Sequence, residues 1–335
     1  MASDRFCLGA ANIVFGLSQI MTPIPPEPSH SLAEWMSALQ DAVSISDLSI
    51  PGTHNSAAHH FSCMCLVPSV RCQRSSIKKQ LENGVRFLDI RLSKPYSSSC
   101  ISTGNDLQVV HGAFPVALLH PVKLSRILSD VFEFLSAHPS EAVIISLKNE
   151  GPFKWTTNEL SAMLWDGYIV QLRHKWFLEP RIPQLGEVRG RAILFRRFGC
   201  PNEKWDMFGF PATSWKYNTT GEDMVNGQLL AVQDVCELPT SDAIKEKTQY
   251  VESHMIRAAQ MGSNTLFVNF TTAANFWNPS CWPRAVAKAV RSGIIDALKN
   301  TTGRCGILIM DFPDSDDWVI VKNVIARNQI LSISA

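Results

Sequence analysis

The sequence predicts an α/β protein in which eight β-strands and the helices between them form a (β/α)8 barrel of the TIM type. Three observations support this fold: short β-rich runs recur, several of them are apolar almost throughout, and helical patterns separate them. Nearly continuous apolar runs are typical of parallel strands that helices cover on both faces. The 335 residues, 45% of them hydrophobic, suffice for one large domain of this kind.

The predicted elements follow one another in the order that a barrel requires. After the proline-rich stretch TPIPPEPSH, a capped helix is predicted to begin at Ser31. The predicted strands are 43–50, 84–92, 107–111, 142–148, 191–198, 228–234, 265–270 and 305–312. The predicted helices are 74–82, 121–138, 157–165, 241–261 and 282–299. Residues 199–227 contain no clear helix, so we expect the barrel to be irregular there.

The domain organisation is predicted to be simple, with residues 1–30 as an N-terminal extension and residues 31–335 as a single barrel domain. The apolar run near the N-terminus is interrupted by polar residues and is followed by no clear cleavage site, which makes it a poor signal peptide. The compartment is therefore left open. No segment approaches the ~20 apolar residues that cross a bilayer, so no transmembrane segment is expected.

Charge and cysteine content exclude some classes of protein. Lys and Arg number 31 against 30 Asp and Glu, so no global field favours nucleic acid, and any phosphate binding must be local. The nine cysteines are an odd count, so at least one lacks an intrachain partner. Cys63, Cys65, Cys72 and Cys100 cluster with irregular spacing, which favours a loop disulfide or free thiols over a zinc site.

Polar or ionisable residues stand at the carboxyl end of nearly every predicted strand. They are His54, Asp89, Arg91, His111, Lys148, Glu150, Arg196, Arg197, Asp234, Asn269 and Asp311. A barrel brings these ends to one rim, where active sites of this fold form. Charges on otherwise apolar strands are costly unless they pair or take part in chemistry. A rim of mutually paired charges is the alternative, and we favour a functional site.

The first of these positions lies in LSIPGTHNS, residues 48–56, which indicates a buried strand that turns at Pro51 and Gly52 and then presents His54. Two histidines can exchange roles as proton acceptor and donor near neutral pH. A carboxylate such as Asp311 can fix the tautomer of a histidine, and the forked guanidinium of Arg91 suits phosphate oxygens.

The remaining rim residues form a pocket of mixed charge. Lys148 and Arg197 beside Glu150 and Asp234 can bind a ring of hydroxyl groups, because cations donate hydrogen bonds and carboxylates accept them. Phosphodiester cleavage on a polyol head group fits both sets of residues. The sequence contains no GxSxG elbow, P-loop or suitably placed GxGxxG, which disfavours acyl transfer, nucleotide hydrolysis and hydride transfer.

Seven motifs occur in the order of a known family. They are PGTHNS, GVRFLDIRL, VVHG, AVIISLKNE, RAILFRRF, AVQD and ILIMDFP. In this respect the chain resembles phosphatidylinositol-specific phospholipase C of the X-domain type, and especially its single-domain bacterial form, from about residue 40 to residue 325. No segment similar to an EF-hand, pleckstrin-type or C2 domain is visible.

The resemblance implies a mechanism for the rim. His54 would be the general base on the inositol 2-hydroxyl and Asp311 would orient it. Arg91, with Lys148, would stabilise the developing charge, and His111 would protonate the departing diacylglycerol oxygen. The products implied are diacylglycerol and inositol 1,2-cyclic phosphate.

The resemblance also assigns the substrate-binding residues and marks two departures from the bacterial pattern. Glu150, Arg197 and Asp234 match positions that hold the inositol ring. Asn55 stands where the bacterial pattern has an Asp that supports the histidine acting as the acid, here His111. Asp89 or Asp106 would have to support His111 in its place. Cys236 stands where an aromatic residue is frequent.

The resemblance further implies that no metal or cofactor is needed. Calcium-dependent members have acidic groups where this chain has Arg91 and Lys148, and two cations there would repel calcium while supplying its charge. Asp89 and Asn55 alone would make a poor cage. The expected partner is a phosphoinositide lipid at a membrane surface, with Trp277 and Trp155 as interfacial anchors. A monomer is favoured, although the residues leave the oligomeric state open.

Two other functions stay open from the sequence. A metal-dependent glycerophosphodiester phosphodiesterase is also a barrel with two histidines, but Arg91 and Lys148 argue against its cluster of metal-binding carboxylates. A catalytically weak inositol-lipid binding protein is the other alternative, and Asn55 and Cys236 are the departures that suggest it.

Overall fold

The fold was derived from a computed structural model that describes residues 31–59, 67–95, 106–117, 121–156 and 158–329. The predicted N-terminal extension, residues 1–30, lies outside the described residues. So do Cys63, Cys65 and Cys100 of the predicted cysteine cluster.

The fold is mixed α/β. The strands are β1 (Ile50–Thr53), β2 (Phe87–Ser93), β3 (Gln108–His111), β4 (Phe114–Pro115), β5 (Val143–Asn149), β6 (Trp176–Phe177), β7 (Ala192–Arg197), β8 (Phe210–Pro211), β9 (Thr219–Val225), β10 (Gln228–Asp234), β11 (Thr265–Phe270) and β12 (Ile307–Met310). The α-helices are α1 (Val67–Val70), α2 (Ile77–Glu82), α3 (Leu124–Ala137), α4 (Glu159–Leu164), α5 (Leu185–Val188), α6 (Ala243–Gln260), α7 (Pro283–Asn300) and α8 (Val319–Ala326). Shorter 3-10 or π turns are Leu32–Ala38, Ile45–Asp47, Trp165–Ile169, Val170–Lys175, Asn202–Met207 and Pro279–Cys281.

One curled sheet runs through the molecule in the strand order β6-β7-β5-β2-β1-β12-β11-β10-β9. Every neighbouring pair on this path is parallel except β9 and β10. This arrangement confirms the predicted α/β barrel class. Within the described residues no ladder joins β8 to β10, so the sheet stays open on the side of residues 199–227, where irregularity was predicted.

The prediction that the third strand, 107–111, is a parallel strand of the barrel is wrong. Residues 107–111 form β3, which runs antiparallel to β2 and pairs with β4 in a hairpin. A parallel crossover needs a dozen or more residues and usually a helix, and the sequence contains no helical pattern between 84–92 and 107–111. His111 therefore reaches the rim from a hairpin that lies beside the barrel.

The predicted turn at Pro51 and Gly52 is also wrong, because both residues lie inside β1. A Cβ atom on Gly52 would lie 3.0 Å from side-chain atoms of both Ile309 and Phe87, on the two strands that flank β1. Glycine is thus needed for close approach of strands and not for a turn. The chain turns just beyond, where Asn55 has a positive φ of 41°.

The predicted helices have counterparts close to the predicted bounds. The element predicted to begin at Ser31 is the 3-10 turn Leu32–Ala38, and Ser31 caps it by accepting a hydrogen bond from the Ala33 backbone N–H. Strands such as β12 are buried along their whole length, as expected for parallel strands covered by helices. None of the helices in the described part of the chain is long and apolar enough to cross a membrane.

Candidate active site

His54 follows β1 on the turn that Asn55 allows. Its Nδ1 atom lies 2.9 Å from Oδ1 of Asp311, which follows β12. In a neutral imidazole, Nδ1–H donates to this carboxylate and Nε2 keeps its lone pair. The side-chain amide of Asn55 donates to that Nε2 atom over 3.1 Å. Burial raises the pKa of Asp311, an effect that the neighbouring His54 opposes.

His111, at the end of β3, faces His54 with 5.9 Å between the ring centroids and the two planes nearly perpendicular. Its Nδ1 atom lies 2.7 Å from the Val70 carbonyl oxygen, so Nδ1–H donates to the backbone. Burial, reinforced by the nearby charge of Arg91, lowers the pKa of His111 to about 4. The imidazole is therefore neutral at pH 7 in the ligand-free protein.

Arg91 on β2 holds two carboxylates together. Its Nη2 atom lies 3.2 Å from Asp89 Oδ2, and its Nη1 atom lies 3.2 Å from Glu150 Oε2. Burial would raise the pKa of Asp89, but Arg91 and Arg197 outweigh it and hold that pKa well below its usual range. The Gly112 backbone N–H donates to Glu150 over 2.7 Å, which ties this cluster to the hairpin that carries His111.

Lys148 and Arg197 come from adjacent strands, β5 and β7, where they are paired in register. Lys148 Nζ lies 3.4 Å from Glu150 Oε2, and Arg197 Nη1 lies 3.7 Å from Asp89 Oδ1. Burial lowers the pKa of both cations, and the nearby charge of Arg91 lowers that of Lys148 further. The guanidinium of Arg197 also lies 3.6 Å above the centroid of the Trp215 ring, a cation–π contact.

These side chains surround one cleft of about 800 Å³. The predicted residues that line it are His54, Arg91, His111, Lys148, Arg197, Asp234 and Asp311. Glu150 and Asp89 stand behind them and both contact Arg91, and Asn55 contacts Asp89 and His54. The volume lies in the range of small-molecule sites.

The arrangement can catalyse proton transfer around a phosphate. One histidine has a carboxylate on Nδ1, the other is held neutral, and a guanidinium lies beside both. Buried polar atoms that lack hydrogen-bond partners among the described residues include Asp89 Oδ1, Glu150 Oε2 and Arg197 Nη1. A site with unsatisfied donors and acceptors of both kinds is suited to a polar, hydroxyl-bearing ligand.

The model of the family "phosphatidylinositol-specific phospholipase C, X domain" matches residues 48–198. A 1-phosphatidylinositol phosphodiesterase of Listeria monocytogenes is 26% identical over 325 residues, which cover 91% of this chain and 88% of that protein. An enzyme of the same name from Staphylococcus aureus strain Newman is 28% identical over 320 residues, covering 90% and 96% of the two chains. The chain is thus similar to phosphatidylinositol-specific phospholipase C enzymes over most of its length, and its X-domain match covers residues 48–198.

The solved structures are similar over the same length. A Staphylococcus aureus phosphatidylinositol-specific phospholipase C, from a study of the modulation of its membrane binding, superposes with a TM-score of 0.74 and 25% identity, covering 89% of this chain and 97% of that one. The X-domain match spans β1 to β7 and so contains both histidines and Arg91. Asp234 and Asp311, on the later strands, lie outside it.

Two of the predicted rim residues point away from the cleft. Arg196 alternates with Arg197, as expected for neighbours on a strand, and donates to the Phe208 and Phe198 carbonyl oxygens. Asn269 is buried and donates to the Val251 carbonyl oxygen of α6. Asp106, considered as a support for His111, instead accepts a hydrogen bond from the Tyr168 hydroxyl.

Three residues of the site were not predicted as such from the sequence. Trp215 and Tyr217 line the cleft from the irregular region 199–227, and Tyr217 lies against Cys236, where the family often has an aromatic side chain. Cys72 lies 3.8 Å from His111 Nδ1. The missing helix in 199–227 was the one sequence signal that could have pointed to the two aromatic residues.

Proposed function

We propose that this chain cleaves phosphatidylinositol, or a glycosyl-phosphatidylinositol, by attack of the inositol 2-hydroxyl on phosphorus, which yields diacylglycerol and inositol 1,2-cyclic phosphate. The observation that carries the proposal is the pair of histidine rings, 5.9 Å apart in one cleft beside Arg91. The family match and the relatives named 1-phosphatidylinositol phosphodiesterase support the same reaction.

His54 acts as the general base. Because Asp311 accepts the hydrogen of Nδ1, the free lone pair is on Nε2, and this atom takes the proton of the 2-hydroxyl. Asp311 stabilises the imidazolium that forms. The nucleophile and the phosphorus belong to one molecule, so the chain needs only to hold them in line.

Arg91 and Lys148 stabilise the negative charge that builds on the phosphate oxygens, and His111 donates a proton to the departing diacylglycerol oxygen. In the ligand-free protein His111 is neutral, because its pKa is lowered to about 4. A phosphate anion bound beside the ring favours the charged form and raises that pKa. His111 therefore gains its proton when substrate binds.

Glu150, Arg197 and Asp234 bind the hydroxyl groups of the inositol ring. Glu150 Oε2 and Arg197 Nη1 take part in ion pairs but have no hydrogen-bond partner among the described residues, so they can serve as acceptor and donor for such groups. Trp215 fixes the guanidinium of Arg197 from below, and Tyr217 flanks the cleft near Asp234.

The reaction is proposed to need no metal ion. Arg91 already pairs with Asp89 and Glu150, the two carboxylates nearest to the phosphate position, so its guanidinium supplies the positive charge there. The same pairing disfavours a metal-dependent glycerophosphodiester phosphodiesterase, which needs carboxylates free to coordinate its ions.

The cleft is proposed to open towards a membrane surface, with the chain acting as a monomer. Trp277 lines the cleft with 87% of its surface exposed and packs edge-on against Phe276 at 5.0 Å. Exposed aromatic rings at the entrance to a site suit the interfacial region of a bilayer. Trp155 is half-buried and donates to the Glu150 carbonyl oxygen, so it is the weaker of the two predicted anchors.

One observation favours a second candidate, an inositol-lipid binding protein with low turnover. The amide of Asn55 donates to Nε2 of His54, the atom that must accept the substrate proton. Substrate has to displace this donor before the base can act. Binding without turnover in the wild type, together with turnover in Asn55→Asp, would favour this second candidate.

The test is an assay of the pure protein on phosphatidylinositol vesicles, with the phosphorus NMR signal of the cyclic ester as readout. His54→Ala and His111→Ala should each lower the rate by about 10²–10⁴-fold, the usual contribution of a general acid or base. His174→Ala, an exposed histidine outside the cleft, is the matched control and should retain the rate. Excess chelator should leave the rate unchanged. A rate that survives both histidine substitutions, or that requires calcium, contradicts the proposal.

A further inference from the structure

A buried thiol lies beside one of the two histidines of the site. Cys72 is fully buried, and its Sγ atom is 3.8 Å from His111 Nδ1. The side chains of Asn55 and Asp311 lie beside the same thiol. The phosphodiester reaction as derived above gives Cys72 no step, so its place among these groups calls for a separate explanation.

The three side chains approach the geometry of a metal site. One ligand atom each from His54, Cys72 and His111 lies within 4.8 Å of the other two. Tetrahedral zinc holds imidazole nitrogen and thiolate sulfur at about 2.0–2.3 Å, which separates neighbouring ligand atoms by about 3.3–3.7 Å. Small side-chain rotations close the difference.

The donor set selects a particular class of ion. Two imidazole nitrogens and one thiolate suit zinc and similar thiophilic divalent ions, whereas calcium and magnesium require oxygen ligands. Three protein ligands leave a fourth position for water or a phosphate oxygen. The positive charge of Arg91 is offset by Asp89 and Glu150, so it does not exclude a cation from the adjacent position.

The surroundings of the histidines also match those of metal ligands. Such histidines almost always donate their second ring N–H to a carboxylate or a backbone carbonyl. Asp311 accepts from Nδ1 of His54, which leaves Nε2 as the ligand atom, once the Asn55 amide moves away. For His111 the corresponding acceptor is the Val70 carbonyl oxygen, and the ring has to turn to bring Nε2 to the thiol, which lies 3.8 Å from Nδ1.

We propose that His54, Cys72 and His111 form a binding site for zinc or a similar thiophilic divalent ion, and that an ion bound there inhibits the phosphodiesterase. Inhibition follows because the ion occupies the lone pair of His54, the proposed general base. Binding exchanges the thiol proton of Cys72 for a metal–sulfur bond, and the proton is released to solvent. The inhibitory part rests on the proposed function, whereas the binding part does not.

The binding part is tested with cobalt(II), which replaces zinc and reports on its ligands. Titration of the metal-free protein should produce one equivalent of tetrahedral cobalt with a thiolate-to-cobalt charge-transfer band, and zinc should displace it. Cys72→Ser should lose that band, whereas Cys236→Ser, which alters a thiol that lines the cleft, should keep it. A band that survives in Cys72→Ser, or no stoichiometric binding to the wild type, overturns the proposal.

The inhibitory part is tested on vesicles. Zinc should inhibit the wild type reversibly, with recovery upon chelation, and Cys72→Ser should require at least about tenfold more zinc, since loss of a ligand lowers metal affinity. Equal zinc sensitivity of the two proteins overturns this part. If Cys72→Ser fails to fold by circular dichroism, His111→Ala takes its place in the cobalt titration, where it should abolish stoichiometric binding. A wild type that binds cobalt but never cleaves phosphatidylinositol contradicts the proposed function alone.

Discussion

Two clusters of buried charge occupy opposite ends of the same pair of strands, β2 and β5, and they are built differently. At the amino end, Arg86 and Glu141 are completely buried, and the shortest contact between them is 2.7 Å. At the carboxyl end, Arg91, Asp89 and Glu150 are joined by contacts of 3.2 Å. Charge alone does not distinguish the two clusters.

Hydrogen bonding does distinguish them. Every N–H of Arg86 has an acceptor: Glu141 takes two, and the carbonyl oxygens of Ala33, Leu81 and Val85 take the others. At the carboxyl end, Asp89 Oδ1, Glu150 Oε2 and Arg197 Nη1 have no hydrogen-bond partner within the described ranges. A saturated cluster stabilises the fold, whereas a cluster with unused donors and acceptors has capacity for a ligand.

The largest expected effect is on stability at the saturated end. Arg86→Met should lower the free energy of unfolding by about 3–5 kcal/mol, because it leaves the Glu141 carboxylate buried without its cation. Urea denaturation measures this, and kcat of the folded fraction should stay near that of the wild type. A loss below about 1 kcal/mol would show that the saturated cluster does not stabilise the fold more than the open one.

The next effect is on catalysis at the unsaturated end. Arg91→Lys should lower kcat by about 10²–10³-fold, because a point charge replaces a forked donor aimed at the charge of the transition state. The free energy of unfolding should change much less than in Arg86→Met, since Arg197 and Lys148 still neutralise the carboxylates. Steady-state kinetics on phosphatidylinositol vesicles decide this. An unchanged kcat would remove Arg91 from the mechanism.

A smaller effect concerns two buried histidines whose pKa is about 4. Burial is the main cause of the low pKa of both His111 and His254. The two differ in position, because His111 lines the cleft whereas His254 lies on α6 with Nε2 near the Ala231 carbonyl oxygen. Inositol cyclic phosphate should raise the pKa of His111 from about 4 towards neutrality, because the bound anion stabilises the imidazolium. The pKa of His254 should not move.

The sign of the pH dependence follows from that shift. Ligand binding takes up a proton wherever the bound-state pKa exceeds the free value, so affinity for the cyclic phosphate should rise as the pH falls from 7 towards 4. Nitrogen chemical shifts of the two rings, followed by NMR with and without ligand, measure both pKa values. Equal shifts at His111 and His254 would contradict binding beside His111.

The smallest effect concerns two tryptophans, one at each end of the barrel. Trp35 is buried beside Arg86 and donates to the Gly84 carbonyl oxygen, whereas Trp277 is exposed at the cleft. Trp277→Ala should weaken binding to phosphatidylinositol vesicles by about five- to tenfold, since partial burial of an indole in a membrane contributes about 1 kcal/mol. Tyr250→Ala, an exposed aromatic residue on α6 outside the cleft, is the control. Sedimentation with vesicles measures both, and equal effects would argue against a specific interfacial role for Trp277.

Much of the fold could be predicted because its signals are local. Apolar runs of strand length, helical patterns between them and a polar residue at each strand end are properties of consecutive residues. These signals indicated the barrel class and singled out His54, Arg91, Lys148 and Asp311, which lie in one cleft. The irregular region 199–227 was marked by the absence of such a signal.

What could not be predicted depends on contacts between distant segments. Gly52 reads as part of a turn until Ile309 and Phe87 are seen to pack against it. Cys72 belongs to an irregular stretch, and only the packing of that stretch against the hairpin of His111 brings its thiol near the site.

By itself the sequence determined the class of fold and the kinds of chemical group available at the barrel rim, because strand periodicity and strand ends are written in neighbouring residues. Tertiary structure alone decided which charged groups are saturated and which are open to a ligand. Arg86 directly precedes β2 and Arg91 lies on it five positions later, yet each has partners from distant segments, Ala33 for Arg86 and Glu150 for Arg91. Hydrogen-bond saturation depends on where those segments pack, and no local pattern encodes it.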